Sequence, residues 1–289
     1  MRPVFFIFLT VLISCANASK KPGRIAEGRS SLYYYLVSNL EALEGKGASS
    51  LFYLDKSLKK NPGSPYLITQ KAYQLARANK LDEGLKLAKK SFEKNPKDGD
   101  LALLIGKIYT TKQQSDQAII YYQKAIALNP ADEEAATLLA REYVATQRLP
   151  QAVITLKKFI EESPESPGVY FFLGNIYASQ MKDYGKALKT YETLLALDPE
   201  DPKVLGLIAE IHLARKDFKE ALETLLTLQT ITPTDAAVQM RIGLLYYELK
   251  DLDRAIAAFE ALAKINPSLD KIHYYLGLLY QEKGNSAGA

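Results

Sequence analysis

A proline recurs at a nearly constant interval through most of this 289-residue chain. The intervals are 34, 34, 34, 35, 34 and 34 residues, and the prolines are Pro62, Pro96, Pro130, Pro164, Pro199, Pro233 and Pro267. A fixed period of this length is typical of repeat proteins, in which a small unit buries its apolar face by stacking on the next unit. The chain is therefore predicted to form an extended array of similar units.

Each interval contains the same arrangement of small and large residues. Small residues lie 24 positions before the prolines, one of them offset by a single insertion: Ala72, Gly106, Ala140, Gly174, Ala209 and Gly243. A large side chain follows three residues later: Leu75, Tyr109, Tyr143, Tyr177, His212 and Tyr246. A second small residue lies twelve positions before each proline: Gly84, Ala118, Ala152, Ala187, Ala221 and Ala255. This pattern predicts two amphipathic helices of about 14 residues per repeat, packed closely through the small residues.

Prolines, asparagines and aspartates mark the predicted helix ends. Four further prolines fall at helix starts, where proline is tolerated: Pro65, Pro150, Pro167 and Pro202. The residue before proline avoids the α conformation, so the second helices are predicted to end at Asn61, Asn95, Asn129 and Asn266. Aspartates near the start of the second helices are predicted to cap free N–H groups: Asp82, Asp116, Asp183, Asp217 and Asp251.

This repeat resembles the tetratricopeptide repeat (TPR) family, and the resemblance covers residues 31–289. It implies an all-α fold, an α-solenoid with a right-handed superhelix of about seven and a half 34-residue helix-turn-helix units. The first repeat departs from the pattern, because Ser38, Glu41 and Ser50 replace its small, aromatic and small residues. Its sequence predicts helices there but does not fix their register.

The resemblance also implies where a partner binds. In TPR proteins the first helix of each repeat lines a concave groove, which here contains Tyr66, Tyr73, Arg77, Lys107, Arg141, Phe171, Asn175, Lys203, Met240, Tyr247 and Tyr274. Large amphipathic rings beside isolated charges suit a peptide or an amphipathic helix of a partner protein. Asn175 is expected to bind a ligand backbone through its amide donor and acceptor. A subtype of the family that clamps a carboxylate has a lysine where Phe171 stands, so that mode of binding is not expected.

The first 14 residues have the pattern of an export signal. Residues 4–13 are apolar except for Thr10, and this run is too short to span a membrane, which needs about 20 residues. The last two residues of this run and the two that follow resemble a bacterial lipobox, Leu12-Ile13-Ser14-Cys15. This resemblance predicts lipidation by diacylglyceryl and palmitate at Cys15. Residues 15–30 then form a lipid-anchor linker, and Ala16 in place of aspartate favours an outer-membrane lipoprotein facing the periplasm. The alternative is plain secretion of a soluble protein cleaved after Ala18.

The last repeat is incomplete in this sequence. Residues 270–284 have the pattern of a first helix, and Ala289 stands where the small residue of a second helix belongs. The pattern predicts an uncovered apolar surface formed by Ile272, Tyr275, Leu276, Leu279 and Tyr280. Two interpretations stay open: either the chain is the N-terminal part of a longer protein, or this face pairs with a partner, including a second copy of the chain.

Residue types for catalysis or metal binding are scarce. His212 and His273 are predicted to pack in the core, and the single cysteine excludes a zinc site of the usual Cys/His kind. Phosphate-loop, dinucleotide-binding and nucleophile-elbow motifs are not found in the sequence, so neither enzyme activity nor a cofactor is expected. Residues 63–289 carry 28 Lys or Arg and 29 Asp or Glu, which argues against nucleic-acid binding.

The sequence thus favours a non-enzymatic scaffold or adaptor in the bacterial cell envelope. It is expected to bind protein or peptide partners in the groove and to touch the membrane only through its N-terminal lipid. The alternative is an interaction arm of a longer protein whose catalytic domain lies beyond residue 289.

Overall fold

The computed structural model describes residues 29–267 and 270–284, and within them it contains 15 α-helices, one π-helical turn and no strand. The helices are α1 (Ser31–Leu43), α2 (Gly47–Lys60), α3 (Pro65–Arg77), α4 (Leu81–Lys94), α5 (Gly99–Thr111), α6 (Ser115–Leu128), α7 (Glu133–Ala145), α8 (Leu149–Glu162), α9 (Pro167–Asn175), α10 (Tyr184–Leu197), α11 (Pro202–Arg215), α12 (Phe218–Ile231), α13 (Ala236–Glu248), α14 (Leu252–Ile265) and α15 (Asp270–Glu282). The predicted export signal, Cys15, the linker up to residue 28 and Ala289 lie outside the described residues.

The helices form two compact units. The first unit ends at Gln114 and contains α1 to α5, and the second begins at Ser115 and contains α6 to α15. Within each unit, helices that follow one another pack together as hairpins, and each hairpin packs on the next. Each unit is thus an all-α solenoid of stacked helical hairpins, as predicted. Within the described part, none of the helices combines the length and apolar character needed to cross a membrane.

The hairpin turns use left-handed backbone at one repeated position. Their φ angles lie between 53° and 63° at Asn79, Gln113, Gln147, Lys182, Lys216 and Lys250, and reach 75° at Gly45 and Gly284. A residue in this conformation ends a helix and redirects the chain, and it costs a non-glycine residue about 1 kcal/mol or more. The sequence pattern did not indicate these positions, because six of the eight are not glycine.

The predicted helix starts and ends are largely confirmed. Pro65, Pro167 and Pro202 stand at the first position of α3, α9 and α11. Second helices end at a residue that leaves the α conformation before a proline, with φ near −130° to −140° at Asn61, Asn95 and Asn266.

The predicted capping role of the aspartates is wrong at three of five positions. Asp183 and Asp251 do accept N–H bonds at the starts of α10 and α14. Asp82 and Asp116 instead follow the first residue of their helices, and they bind Lys112 at 2.5 Å and Arg148 at 2.7 Å, about one repeat further on. Asp217 makes no side-chain cap bond, and its carboxylate pairs with Arg215 at 2.8 Å.

Small residues on the first helix of a hairpin leave room for a ring on the second helix. A Cβ atom added at Gly174 would lie 2.4 Å from the ring of Tyr191, and one added at Gly243 would lie 2.8 Å from the ring of Phe259. Where the first helix of a second-unit hairpin carries alanine, a leucine stands at the position of the ring: Ala140 with Leu156, and Ala209 with Leu225. In the first unit, Ala72 has Ala88 at this position. In the four hairpins of the second unit, glycine on the first helix therefore goes with a ring on the second, and alanine goes with leucine.

Serines perform this packing role in the first hairpin. Ser38 and Ser50 are almost fully buried, and the Ser38 hydroxyl donates to the Ser50 carbonyl at 2.9 Å. Their hydroxyl oxygens are also 3.1 Å apart. Because both hydroxyls find partners, their burial carries little penalty. The first repeat (α1 and α2) thus keeps the register of the other repeats although its residues differ.

The repeated tyrosines contact the preceding repeat, because their hydroxyls reach back to its second helix. Gln123 donates to the Tyr143 hydroxyl at 2.8 Å, and the Lys89 ammonium lies 3.5 Å from the Tyr109 hydroxyl. The Tyr280 hydroxyl makes the corresponding contact as a donor, to the Glu260 carboxylate. The separation is 20 residues in all three pairs, so one contact repeats along the chain.

The prediction for α15 needs correction. Ile272 and Leu279 are buried against α14, and Tyr275 stacks on Phe259 with ring centroids 5.3 Å apart. This face therefore covers the preceding repeat and is not open. The exposed apolar residues of α15 are Tyr274 and Leu278.

The histidine predictions are half right. His212 is partly buried, in the position that tyrosine fills in other repeats. His273 is exposed, and its Nε2 lies 3.2 Å from the Pro267 carbonyl. His273 occupies the same repeat position as Gln239 of α13, which is buried. His273 is exposed because no second helix follows α15 among the described residues to cover it.

Candidate protein-binding face

The predicted groove residues fall on first helices in both units. In the first unit, Tyr66 lies on α3 with more than half of its side chain exposed, and its hydroxyl is 2.5 Å from that of Tyr35. This hydrogen bond raises the pKa of Tyr66. Tyr73 and Lys107 are partly buried and already interact with neighbouring residues, and Arg77 is exposed.

The other seven predicted residues lie on the first helices of the second unit, and we call this surface the first-helix face. It contains Arg141 on α7, Phe171 and Asn175 on α9, Lys203 on α11, Met240 and Tyr247 on α13, and Tyr274 on α15. The π-helical turn Ile176–Gln180 directly follows α9. It accommodates the residue that lengthens one proline interval to 35, and π turns of this kind are frequent at functional sites.

The centre of the face is a ring held beside a cation. The Lys203 ammonium lies 4.1 Å from the centroid of the half-buried Phe171 ring, although the two residues belong to successive first helices. The Arg141 guanidinium lies 5.8 Å from the neighbouring ring of Phe172. Such contacts fix a flat apolar surface next to positive charge.

The amide oxygen of Asn175 makes a hydrogen bond within the fold. The Tyr191 hydroxyl donates to Asn175 Oδ1 at 2.8 Å, so the acceptor is engaged inside the unit. Tyr191 is completely buried, and burial raises the pKa of its hydroxyl to about 12. Asn175 therefore positions α9 against α10 through this bond.

A small cavity of about 180 Å³ opens beside this hydrogen bond. Its lining combines the end of α9 and the π turn with one face of α11: Asn175, Ala178, Ser179, Tyr184, Tyr191, Leu207, Glu210, Ile211 and Ala214. A cavity of this size suits a single side chain. The exposed Glu210 adds a negative charge that pairs with Arg241 at 3.4 Å on α13.

The C-terminal part of the face is more committed to internal packing. Met240 and Tyr247 pack against the cluster around Phe259, which reduces the surface they offer to a partner. A hydrogen bond to the Glu282 carboxylate raises the pKa of Tyr247, and Lys250 lies 5.0 Å from its ring centroid. Tyr274 is 65% exposed and lies edge-on to Tyr275.

The contacts that join successive first helices were not predicted from the sequence. The partner residues are Tyr35, Phe172, Arg241 and Glu282. In the sequence, each of these residues differs from others only in lying about one repeat from the residue it contacts. Because many residue pairs have that separation, the sequence does not single out these contacts.

The face presents rings, one small cavity and charges of both signs. Within residues 29–267 and 270–284, no group of three or more His, Cys, Asp or Glu is placed to hold a metal ion. The rings offer apolar anchors, and the charges beside them can set the orientation of a bound segment.

Four family models match the chain, and all of them describe tetratricopeptide repeats. The model described as "Psidin, N-terminal TPR repeats region" matches residues 39–162, and two described as "Tetratricopeptide repeat" match residues 137–202 and 178–241. A fourth, described as "TPR repeat", matches residues 243–284. None of the curated protein sequences is significantly similar to the chain.

Solved structures share the fold at low sequence identity. The C-terminal part of a TPR repeat-containing protein from Cytophaga hutchinsonii is 22% identical with a TM-score of 0.69, covering 82% of this chain and 97% of that one. A chain from the structure of Naa15/Naa10 bound to HypK-THB is 21% identical with a TM-score of 0.57. The match covers 87% of this chain but only 39% of that chain. YrrB, described as a TPR protein with an unusual peptide-binding site, is 16% identical with a TM-score of 0.50, covering 65% of this chain and 96% of that one.

Proposed function

Because the chain belongs to the tetratricopeptide repeat family, we propose that it is a non-enzymatic scaffold that binds a segment of a partner protein on its first-helix face. The observation that carries this proposal is the ring of Phe171, held beside Lys203. Each of these two residues lies one helical turn before a residue that lines the cavity at Glu210, namely Asn175 and Leu207. An apolar side chain of the segment inserts at this ring, and its charges align with Lys203, Arg141 and Glu210. The peptide-binding site reported for YrrB supports the class of ligand.

Phe171→Ala combined with Lys203→Glu is expected to weaken partner capture from the native cell envelope by about tenfold or more, as loss of a central anchor does. The control variant combines Leu197→Ala with Lys219→Glu, which removes one exposed apolar side chain and reverses one charge outside this face. Capture by full-length protein is followed by quantitative mass spectrometry, and thermal unfolding verifies that both variants fold. Equal capture by the two variants contradicts the assignment of the site.

We further propose that the protein is anchored in the bacterial envelope by lipid at Cys15. The support is the short apolar run of residues 4–13 followed by Leu12-Ile13-Ser14-Cys15. One or two acyl chains give membrane affinity to a protein without a spanning helix. The scaffold then acts at the surface of the outer membrane that faces the periplasm.

Cys15→Ser is expected to move the protein from the membrane fraction to the soluble fraction. The mass of the mature wild-type protein distinguishes the two processing routes, because lipidation adds diacylglycerol and acyl mass to a chain that begins at residue 15. A mature chain that begins at residue 19 without added mass indicates plain secretion and overturns the anchor.

A further inference from the structure

The two units carry opposite net charges. Residues 29–114 contain 15 Lys or Arg and 8 Asp or Glu, a net charge of +7. Residues 115–284 contain 18 Lys or Arg and 24 Asp or Glu, a net charge of −6. The nearly neutral sum over residues 63–289 therefore hides a basic unit followed by an acidic one.

Much of the positive charge of the first unit surrounds one cleft, which we call the lysine cleft. It measures about 700 Å³ and lies between α2, α3 and α4. Its apolar lining consists of Phe52, Leu58, Pro62, Ile68 and Leu87. Its polar lining consists of Asp55, Lys56, Lys59, Lys71, Lys90, Ser91 and Lys94.

The positive charge of the lysine cleft is largely uncompensated. Asp55 is already paired with Lys71, with 2.6 Å between the charged atoms. Lys59, Lys90 and Lys94 are exposed, and none of them forms an ion pair with another residue in the part of the chain that is described. Lysines on α2 and α4 thus face the cleft from two sides, and an anion between them gains attraction from both.

The apolar lining includes a ring that is exposed to solvent. Phe52 is 55% exposed, and the Lys56 ammonium lies 4.4 Å from its ring centroid. A single exposed apolar residue needs no explanation, but here the ring adjoins other apolar side chains in a recess bordered by cations. A ligand that matches this recess has an apolar part flanked by negative charges.

We propose that the lysine cleft binds an acidic segment of a partner protein, which inserts an apolar side chain between the lysines of α2 and those of α4. A protein segment fits better than a membrane surface, because the apolar lining is recessed and a flat layer of headgroups meets only the lysines. The lysine cleft lies in the first unit and shares no residue with the first-helix face of the second unit. The chain is then an adaptor with two separate protein-binding sites.

Binding of a designed peptide to the full-length chain tests this proposal. The probe is a fluorescein-labelled peptide of about 14 residues in which Phe and Leu recur at helical spacing among Asp and Glu residues. A second peptide has serine in place of Phe and Leu, and a third has lysine in place of Asp and Glu. By fluorescence anisotropy, the first peptide is expected to bind at least about tenfold more tightly than either of the others.

Two charge-reversal variants distinguish binding in the lysine cleft from attraction by the overall positive charge of the first unit. Lys59→Glu/Lys94→Glu changes the cleft, whereas Lys86→Glu/Lys97→Glu changes two exposed lysines outside it and gives the same net charge. The cleft variant is expected to weaken binding of the acidic peptide about tenfold and the control less than about threefold. All four side chains are exposed, so folding is expected to be retained. Phe52→Ser is expected to abolish the preference for the apolar peptide over the serine peptide.

Several outcomes overturn the proposal. If the two variants lose equal affinity for the acidic peptide, the peptide is attracted by net charge alone. If the apolar and serine peptides bind equally well, no apolar side chain inserts into the cleft. Binding to vesicles of phosphatidylglycerol and phosphatidylcholine without binding to the acidic peptide indicates a lipid surface instead. The Phe171→Ala/Lys203→Glu variant serves as a further control, since it is expected to bind the acidic peptide like wild type even if the first-helix face proves to have no partner.

Discussion

Gly174→Ala is expected to destabilise the second unit by about 1–3 kcal/mol, although alanine is the better helix former. The added Cβ would lie 2.4 Å from the nearest ring atom of Tyr191, and this ring is completely buried between helices and cannot move aside. Gly277→Ala is the matched control, because Gly277 occupies the same repeat position with no atom within 4 Å of its Cβ site. It is expected to be neutral or to stabilise the chain by up to about 1 kcal/mol.

A second substitution tests the physical reason directly. Tyr191→Leu in the Gly174→Ala background recreates the pairing of Ala209 with Leu225 in the next hairpin. The double variant is expected to be more stable than the sum of the single effects by about 1 kcal/mol or more, since residues in contact do not act independently. Urea unfolding midpoints of the four proteins measure this coupling, and simple additivity contradicts the size-matching explanation.

Phe259→Ala is expected to cost about 3–5 kcal/mol, the usual effect of removing a fully buried ring. Phe259 is 1% exposed, contacts the site of Gly243 and stacks on Tyr275. The loss therefore affects the α13–α14 hairpin and the attachment of α15 together. Hydrogen exchange of the full-length protein is expected to show faster exchange in α15.

Tyr274→Ala is the control for Phe259→Ala. This tyrosine is 65% exposed on the same helix that Phe259 supports, so its removal is expected to change stability by less than about 0.5 kcal/mol. Similar unfolding midpoints for the two variants would mean that the ring of Phe259 is not buried in solution.

The repeat pattern predicted the helices well because each helix obeys a local rule. Pro65 and Pro202 begin helices, and Asn95 before Pro96 ends one, through restrictions on single φ and ψ angles. The small residues also predicted where helices approach, since volume is a property of the residue itself. The residues that pair a glycine with a ring were present in the sequence, but only the contacts show that Gly174 meets Tyr191 and that Gly243 meets Phe259.

The sequence could not show which polar groups of the candidate face are engaged inside the fold, because a polar side chain has several partners to choose from. The Asn175 amide oxygen accepts a hydrogen bond from Tyr191, which lies 16 residues further along the chain. Asp82 can cap α4 or pair with Lys112, and the next repeat supplies the lysine at 2.5 Å. In both cases a polar side chain is engaged by a partner that the local sequence does not contain.

The sequence by itself determined the period, the helix boundaries and the positions of close packing, because these depend on steric properties of single residues at a fixed spacing. Only the tertiary structure decided which polar groups are free to meet a partner and where charge accumulates. The lysines of α2 and α4 are about one repeat apart in the chain and form one cleft only when the hairpins stack. Electrostatic attraction depends on distance in space, and repeat stacking is what sets that distance.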